Sequence, residues 1–184
     1  MINELKKLKL DTQKFCEDHG LTSRLGFLKL AIVIDYWPVI HYRLHKYSIN
    51  WNNPLSFFLR IFMVLLKPFV QGLSGCRIST QAEIGSGFLL HQSSGVVIAS
   101  GSVIGTNCTI FSGVCVVYKA NSSSGEAPRI GQHVKLMVGC KLVGDIVIGD
   151  NVLVGANAVV LSDVPENSIA VGIPAKVKPR NRLL

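Results

Sequence analysis

Residues 130–165 read IGQHVKLMVGCKLVGDIVIGDNVLVGANAVVLSDVP, and an aliphatic residue returns at every sixth position. These anchor residues are Ile130, Leu136, Leu142, Ile148, Val154 and Val160. Four places after each anchor stands a small or aliphatic residue, from Val134 through to Val164. A period of six fits neither an α-helix nor a simple β-hairpin, and it is typical of short strands joined by tight turns around one narrow core. The stretch therefore predicts a mainly β protein built as a parallel β-helix.

The same spacing extends upstream of this stretch. Its anchors are Ile78, Ile84, Leu90, Ile98, Ile104, Ile110 and Val116, with one step of eight residues between Leu90 and Ile98. Asn107, Asn151 and Asn157 stand where the turns would need a positive φ. The repeat thus predicts a coil that begins near residue 76 and contains one lengthened turn.

Residues 1–75 follow a helical pattern instead. Leu25, Leu28, Ile32 and Tyr36 are spaced as on one helix face, and two prolines mark breaks. We predict about four helices here. The chain is accordingly divided into an α-helical N-terminal region, 1–75, and a β-helix domain with a C-terminal tail, 76–184.

The most apolar stretch of the chain, residues 57–70, is interrupted by Arg60, Lys67 and Pro68. It falls short of the roughly 18 uninterrupted apolar residues of a membrane span. We predict a buried or interface helix, and the alternative is an amphipathic helix that rests on the inner membrane surface.

The composition limits the classes of protein that fit. The chain has 184 residues, 48% of them hydrophobic and 16% charged, which excludes a disordered protein. A net charge of +8 favours an anionic partner. Nucleic acid is disfavoured as that partner, because the sequence has no stripe of basic and aromatic residues. The five cysteines form no CxxC pair and the N-terminus lacks a secretory signal, so we expect a reduced, cytoplasmic protein, with contact to the inner membrane face left open.

Two segments resemble a known family. Residues 84–98 (IGSGFLLHQSSGVVI) and 164–177 (VPENSIAVGIPAKV) are similar to the active-site coil and the closing coil of the hexapeptide-repeat acyltransferases, in particular the serine O-acetyltransferase-like branch. The resemblance implies a left-handed β-helix and acetyl-CoA as donor. It also implies a homotrimer or a dimer of trimers, with active sites in clefts between neighbouring β-helices. We expect no metal, because His41 and His45 share a helix face but the sequence supplies no further ligands beside them.

Acetyl transfer to a hydroxyl needs one base, usually a histidine. Of the five histidines, only His91 lies in the coil where the family performs its chemistry, and it is our candidate base. When this sequence is aligned with the family without gaps, His91 takes the place of the catalytic aspartate and Gln92 that of the catalytic histidine. In that alignment Gln92 would point at the acceptor. A base supplied from elsewhere and a non-catalytic site are the alternatives.

The acceptor contacts of the family are also changed. In the family, a carboxylate holds the ammonium group of the substrate, and this chain has Arg77 at that position. An Arg-His pair holds the substrate carboxylate in the family, and this chain has Glu126 and Ala127 at those two positions. Because these charges are reversed or lost, we expect a sugar hydroxyl of surface-polysaccharide biosynthesis as the acceptor. The alternatives are a serine O-acetyltransferase of cysteine biosynthesis and a catalytically silent binding or scaffold subunit.

The donor is expected along the C-terminal coils. Gly139, Gly155 and Ala156 are candidates to line the pantetheine arm, and Lys176 heads a basic tail for the CoA phosphates, against the alternative of a disordered tail. The loop 118–129 interrupts the repeat and is expected to cover the acceptor cleft, or else to be a tolerated insertion.

Overall fold

A computed structural model describes residues 4–20, 34–51, 54–119 and 126–180. This part of the chain contains three α-helices: α1 (Glu4–Asp18), α2 (Trp37–Asn50) and α3 (Pro54–Ser74). A 3-10 turn, Ile34–Tyr36, precedes α2. The predicted helical positions Leu25, Leu28 and Ile32 lie outside the described residues.

Fifteen short strands follow α3. They are β1 (Arg77–Ile78), β2 (Glu83–Ile84), β3 (Leu89–Leu90), β4 (Val97–Ile98), β5 (Val103–Ile104), β6 (Thr109–Ile110), β7 (Cys115–Val117), β8 (Arg129–Ile130), β9 (Lys135–Leu136), β10 (Lys141–Val143), β11 (Val147–Ile148), β12 (Leu153–Val154), β13 (Val159–Val160), β14 (Ser168–Val171) and β15 (Lys176–Pro179).

The strands wind into a parallel coil with three faces. Face A is β1-β4-β7-β10-β13, face B is β2-β5-β8-β11, and face C is β3-β6-β9-β12-β14-β15. From β1 to β10, each strand pairs in parallel with the third strand after it. β12 pairs in parallel with β14, and only the last pair, β14 with β15, is antiparallel. The six-residue repeat is confirmed, because every anchor from Ile78 to Val160 is buried. Each anchor belongs to a different face from the one before it, and together they fill one narrow core.

The lengthened turn follows β3. Leu90 pairs with Ile110 and Val97 with Cys115, so this turn has two residues more than the turn below it in the coil. The residues of this turn are His91–Val96, which places the candidate base at the end of face C.

The helices pack on the first coils through a buried ionic cluster. Arg43 of α2 is fully buried, and its Nη1 donates to the carbonyl oxygen of Ile84 at 2.8 Å. Its Nε donates to Asp11 of α1 at 2.9 Å, and a second oxygen of Asp11 accepts from the amide of Phe88 at 2.9 Å. These bonds fix α1 beside β3, and thereby beside the lengthened turn.

Helix α3 contradicts the buried half of the prediction of a buried or interface helix at residues 57–70. It packs on α2 through a stripe that includes Met63 and Val70, but its other apolar side chains are exposed. Among the described residues, nothing buries this stretch as a core helix. The interface and membrane alternatives remain.

None of the five cysteines forms a disulfide. All five cysteines are free, and Cys76, Cys108 and Cys140 are buried as small apolar residues.

Residues 176–179 form β15 against β14, and Nη1 of Arg180 donates to the carbonyl of Asn151 at 2.9 Å. The tail is thus structured up to residue 180, and Arg182 lies outside the described residues.

Candidate active site

A cleft of about 910 Å³ lies between α1 and the outer surface of face C. The floor carries outward side chains of β3, β6 and β9 and of the residues that follow β3 and β6. The wall is the exposed side of α1. The residues that line it include Lys14, Glu17, Asp18, His91, Phe111 and Lys135.

His91 lies at the centre of a small cluster of ring and carboxylate groups. Its ring stacks on Phe111, with centroids 4.9 Å apart and planes 16° apart. Its Nε2 is 3.4 Å from Oδ2 of Asp18, at the last residue of α1. A carboxylate in this position favours a proton on Nε2, which leaves Nδ1 as the nitrogen able to accept a proton.

Asp18 and His19 are the site residues that the sequence reasoning missed. The His19 ring stacks on Phe15 at 4.0 Å, and its centroid is 5.5 Å from that of His91. The chain does contain an adjacent acid and histidine, but at the end of a helix more than 70 residues before His91. Because the coil itself carries His91 and Gln92 in place of an acid and a histidine, the adjacent Asp18 and His19 were the feature of the sequence that could have identified the missing carboxylate.

The same three side chains form the one group among the described residues whose donor atoms are close enough to share a metal ion. Asp18, His19 and His91 each offer one atom, all within 4.8 Å of one another. However, Nδ1 of His19 lies 3.0 Å from the carbonyl of Phe15, so this nitrogen already has a partner. The contact between His91 and Asp18 is explained by their direct pairing, without an ion between them.

The cleft carries both signs of charge. Lys14 and Lys135 contribute ammonium groups, whereas Glu17 and Asp18 contribute carboxylates. Nζ of Lys14 donates to the carbonyl of Gly87 at 2.8 Å, and burial lowers the pKa of this amine. The cleft is therefore able to meet an anionic and a cationic group of one ligand.

The other predicted acceptor residues do not line this cleft. Arg77 is exposed on β1 of face A, and Glu126 is exposed just before β8. Gln92 is exposed next to His91, and its Oε1 accepts from Ser112 at 3.3 Å. Ala127 is buried, so it offers no side chain to a ligand.

The predicted donor residues have structural reasons for their size. Gly139 has a φ of +73°, and a Cβ there would overlap Oδ1 of Asn157. A Cβ on Gly155 would lie 2.7 Å from Cγ1 of Val171. Ala156 is exposed at the same corner of the coil, and Lys176 is exposed on β15. Their contact with CoA stays a prediction.

The remaining histidines lie in the places that the sequence indicates. His41 and His45 are neighbours on α2, with ring centroids 5.7 Å apart, and Nε2 of His41 is 2.8 Å from the carbonyl of Met63. His133 is exposed in a turn with a φ of +55° and lines the far end of the cleft.

Comparisons with known proteins agree with this architecture. The model of the bacterial transferase hexapeptide family (six repeats) matches residues 127–162. A serine acetyltransferase of Helicobacter pylori is 38% identical over 117 residues, which cover 64% of this chain and 68% of the relative. A serine acetyltransferase solved with cysteine superposes with a TM-score of 0.82 at 25% identity, over 98% of this chain and 68% of that one.

A second solved structure shows the same fold. The serine acetyltransferase of Brucella abortus with coenzyme A superposes with a TM-score of 0.80 at 24% identity, over 95% of this chain and 67% of that one. The repeat, the helices that precede it and the identity to the Helicobacter enzyme point the same way. The chain belongs to the serine acetyltransferase family of hexapeptide-repeat transferases, and it is an O-acetyltransferase whose acetyl donor is acetyl-CoA.

Proposed function

We propose that the acetyl acceptor is the hydroxyl of serine. The relatives named above are serine acetyltransferases, which favours serine over the saccharide expected from the sequence. The observation that carries the proposal is the mixed charge of the cleft. Glu17 is available to the ammonium of serine and Lys135 to its carboxylate, so these residues take over the roles lost at Arg77 and Glu126.

His91 is the base in this proposal. Nδ1 of His91 takes the proton of the serine hydroxyl as its oxygen attacks the thioester carbonyl, and the proton then passes to the CoA thiolate as it leaves. Asp18 holds the ring and stabilises the imidazolium that forms, while Phe111 fixes the ring plane. The acetyl group ends on the serine oxygen and free CoA is released.

A saccharide hydroxyl is the second candidate. It is favoured by Arg77, Glu126 and Ala127, which replace groups that the family uses for serine. The size of the cleft, about 910 Å³, also leaves room for a ligand larger than serine.

The test follows the release of CoA thiol from acetyl-CoA with serine and, separately, with a panel of nucleotide sugars. Turnover with serine that is lost in His91→Ala supports the proposal. Turnover with a sugar and none with serine would replace it with the second candidate. Measurable CoA binding without turnover on any acceptor would favour a silent binding subunit.

Cleft variants separate serine binding from general damage. We expect Lys135→Met to raise the KM for serine about tenfold or more, since one charge-assisted contact contributes roughly 1.5–3 kcal/mol, and to leave the KM for acetyl-CoA unchanged. Lys9→Met is the matched control, because Lys9 is an exposed lysine of α1 outside the cleft. Equal effects of the two substitutions would speak against the proposed contact.

The finer features of the assembly belong to the same proposal. The superposition on the solved serine acetyltransferases supports the left-handed sense of the coil. We also expect a homotrimer or a dimer of trimers, which light scattering in solution would distinguish.

A further inference from the structure

Helix α3 exposes an apolar face that the described part of the chain leaves uncovered. The most inward residue of its central turns is Met63, and the opposite half of the helix consists almost entirely of large apolar side chains. The most exposed of these include Phe57, Phe58, Phe62, Val64, Leu65 and Phe69, each at least 52% exposed. An apolar patch of this kind marks a surface that binds another apolar surface.

The charge around this face is positive. Between Tyr36 and Ala82 the sequence contains five basic residues and no acidic residue. Arg60 and Lys67, seven residues apart, lie on the same edge of the apolar face. One of the five, Arg43, is neutralised in the buried cluster, and the cations beside the face are not matched by any acid within the segment.

The helix is long and apolar enough to cross a membrane, but its packing opposes that arrangement. It lies along α2 and also contacts the 3-10 turn that begins α2, while α2 contacts β1. A spanning helix would have to leave these contacts and place α2 and the coil on opposite sides of the bilayer. The geometry fits a helix that lies in the plane of the interface, with its apolar side chains in the lipid and its cations at the headgroups.

We propose that α3 docks this protein on an anionic lipid surface. The charge decides between lipid and a second copy of the chain, because two copies of this face would bring cations of the same sign together, whereas anionic headgroups attract them. The proposal does not depend on which hydroxyl is acetylated.

Sedimentation of the full chain with phosphatidylcholine vesicles, with and without phosphatidylglycerol, tests the proposal. We expect binding that phosphatidylglycerol strengthens and high salt weakens. Phe58→Glu with Leu65→Glu should lower the partition coefficient at least about tenfold, since each side chain loses a favourable transfer into lipid. Arg60→Gln with Lys67→Gln should remove the preference for phosphatidylglycerol.

The matched control carries the same added charge on the coil. Val147 and Leu161 are exposed to about the same extent, 51% and 50%, and Val147→Glu with Leu161→Glu should bind vesicles as the wild type does. Unchanged melting and unchanged acetyl-CoA turnover show that the α3 variant is folded. If the wild type binds neither vesicle, or if the α3 variant binds as well as the wild type, the proposal is overturned. A smaller oligomer in the α3 variant without any vesicle binding would assign the face to a second copy instead.

Discussion

Nε of Arg43 donates a 2.9 Å hydrogen bond to Oδ2 of Asp11, and both side chains are fully buried. This pair joins α1 to α2. Through the carbonyls of Ile84 and Gly85 and the amide of Phe88, it also joins both helices to the coil. Since Asp18 lies two turns further along α1, the buried pair positions the carboxylate that contacts His91.

Arg43→Met should therefore destabilise the protein by about 3–5 kcal/mol, because it leaves the buried carboxylate of Asp11 without its ionic partner and removes one of the two cations that contact Glu4. Urea denaturation measures the change. Gln13→Ala, at an exposed position of α1, is the control and should stay within about 0.5 kcal/mol. A loss below about 1 kcal/mol in Arg43→Met would show that the pair is not a principal anchor.

Gly105 allows two coils to stack closely. A Cβ at this position would lie 2.5 Å from the carbonyl oxygen of Gly131 in the next coil. Gly105→Ala should destabilise the protein by about 1–3 kcal/mol, because backbone would have to move. Gly72, in the last turns of α3, has nothing within 4 Å of a built Cβ, so Gly72→Ala should be neutral or stabilise by up to about 1 kcal/mol. If Gly105→Ala does not melt at a lower temperature than both the wild type and Gly72→Ala, the steric argument is wrong.

The coil was predictable because its information is local and repeated. The spacing of six residues was enough to predict that every anchor from Ile78 to Val160 is buried. The single step of eight residues predicted the lengthened turn. The contact between Asp18 and His91 was not predictable in this way. It joins an isolated helix to the coil across more than 70 residues, and nothing periodic in the sequence indicates which side of α1 meets the coil. The exposure of α3 likewise depends on which of its faces α2 covers.

The buried thiols should be chemically inert in the folded protein. Burial raises the pKa of Cys76 and Cys140 to about 12 and that of Cys108 to about 11. Since the thiolate is the nucleophile, iodoacetamide at about pH 8 should leave these three unmodified in the native state and label all five cysteines in urea. Mass spectrometry of tryptic peptides reads the result. Rapid native labelling of Cys140 would mean that the coil core opens.

His45 makes the stability sensitive to acid. Burial lowers its pKa below the ordinary 6.5, with further lowering from His41, Lys67 and Arg60, and its Nδ1 has no hydrogen-bond partner within the described part of the chain. Below pH 6.5 the unfolded chain takes up a proton that the folded chain resists, so the contribution of this residue is full above that pH and is lost as the pH falls.

The urea midpoint, measured between about pH 7.5 and about pH 5.5, should therefore fall less in His45→Asn than in the wild type. His133→Asn, at an exposed turn, serves as the comparison and should keep the acid dependence of the wild type. The same acid dependence in all three proteins would exclude His45 as its source.

The assignment of the base rests on a comparison of three substitutions in the cleft. His91→Ala should lower kcat by about 10²–10⁴, the usual contribution of a positioned base. Asp18→Asn should lower kcat by about 10–10² with little change in either KM, because the ring remains on Phe111 but loses the carboxylate that orients it.

The combination of these substitutions separates a shared role from two independent ones. The double variant should be no slower than His91→Ala alone, since Asp18 acts only through the imidazole. Gln92→Ala is the decisive comparison, because it is the exposed neighbour at the place where the family has its catalytic histidine, and it should keep kcat within about threefold of the wild type. A large loss in Gln92→Ala together with a small one in His91→Ala would place the chemistry on the other side of the lengthened turn, away from the cleft that α1 forms.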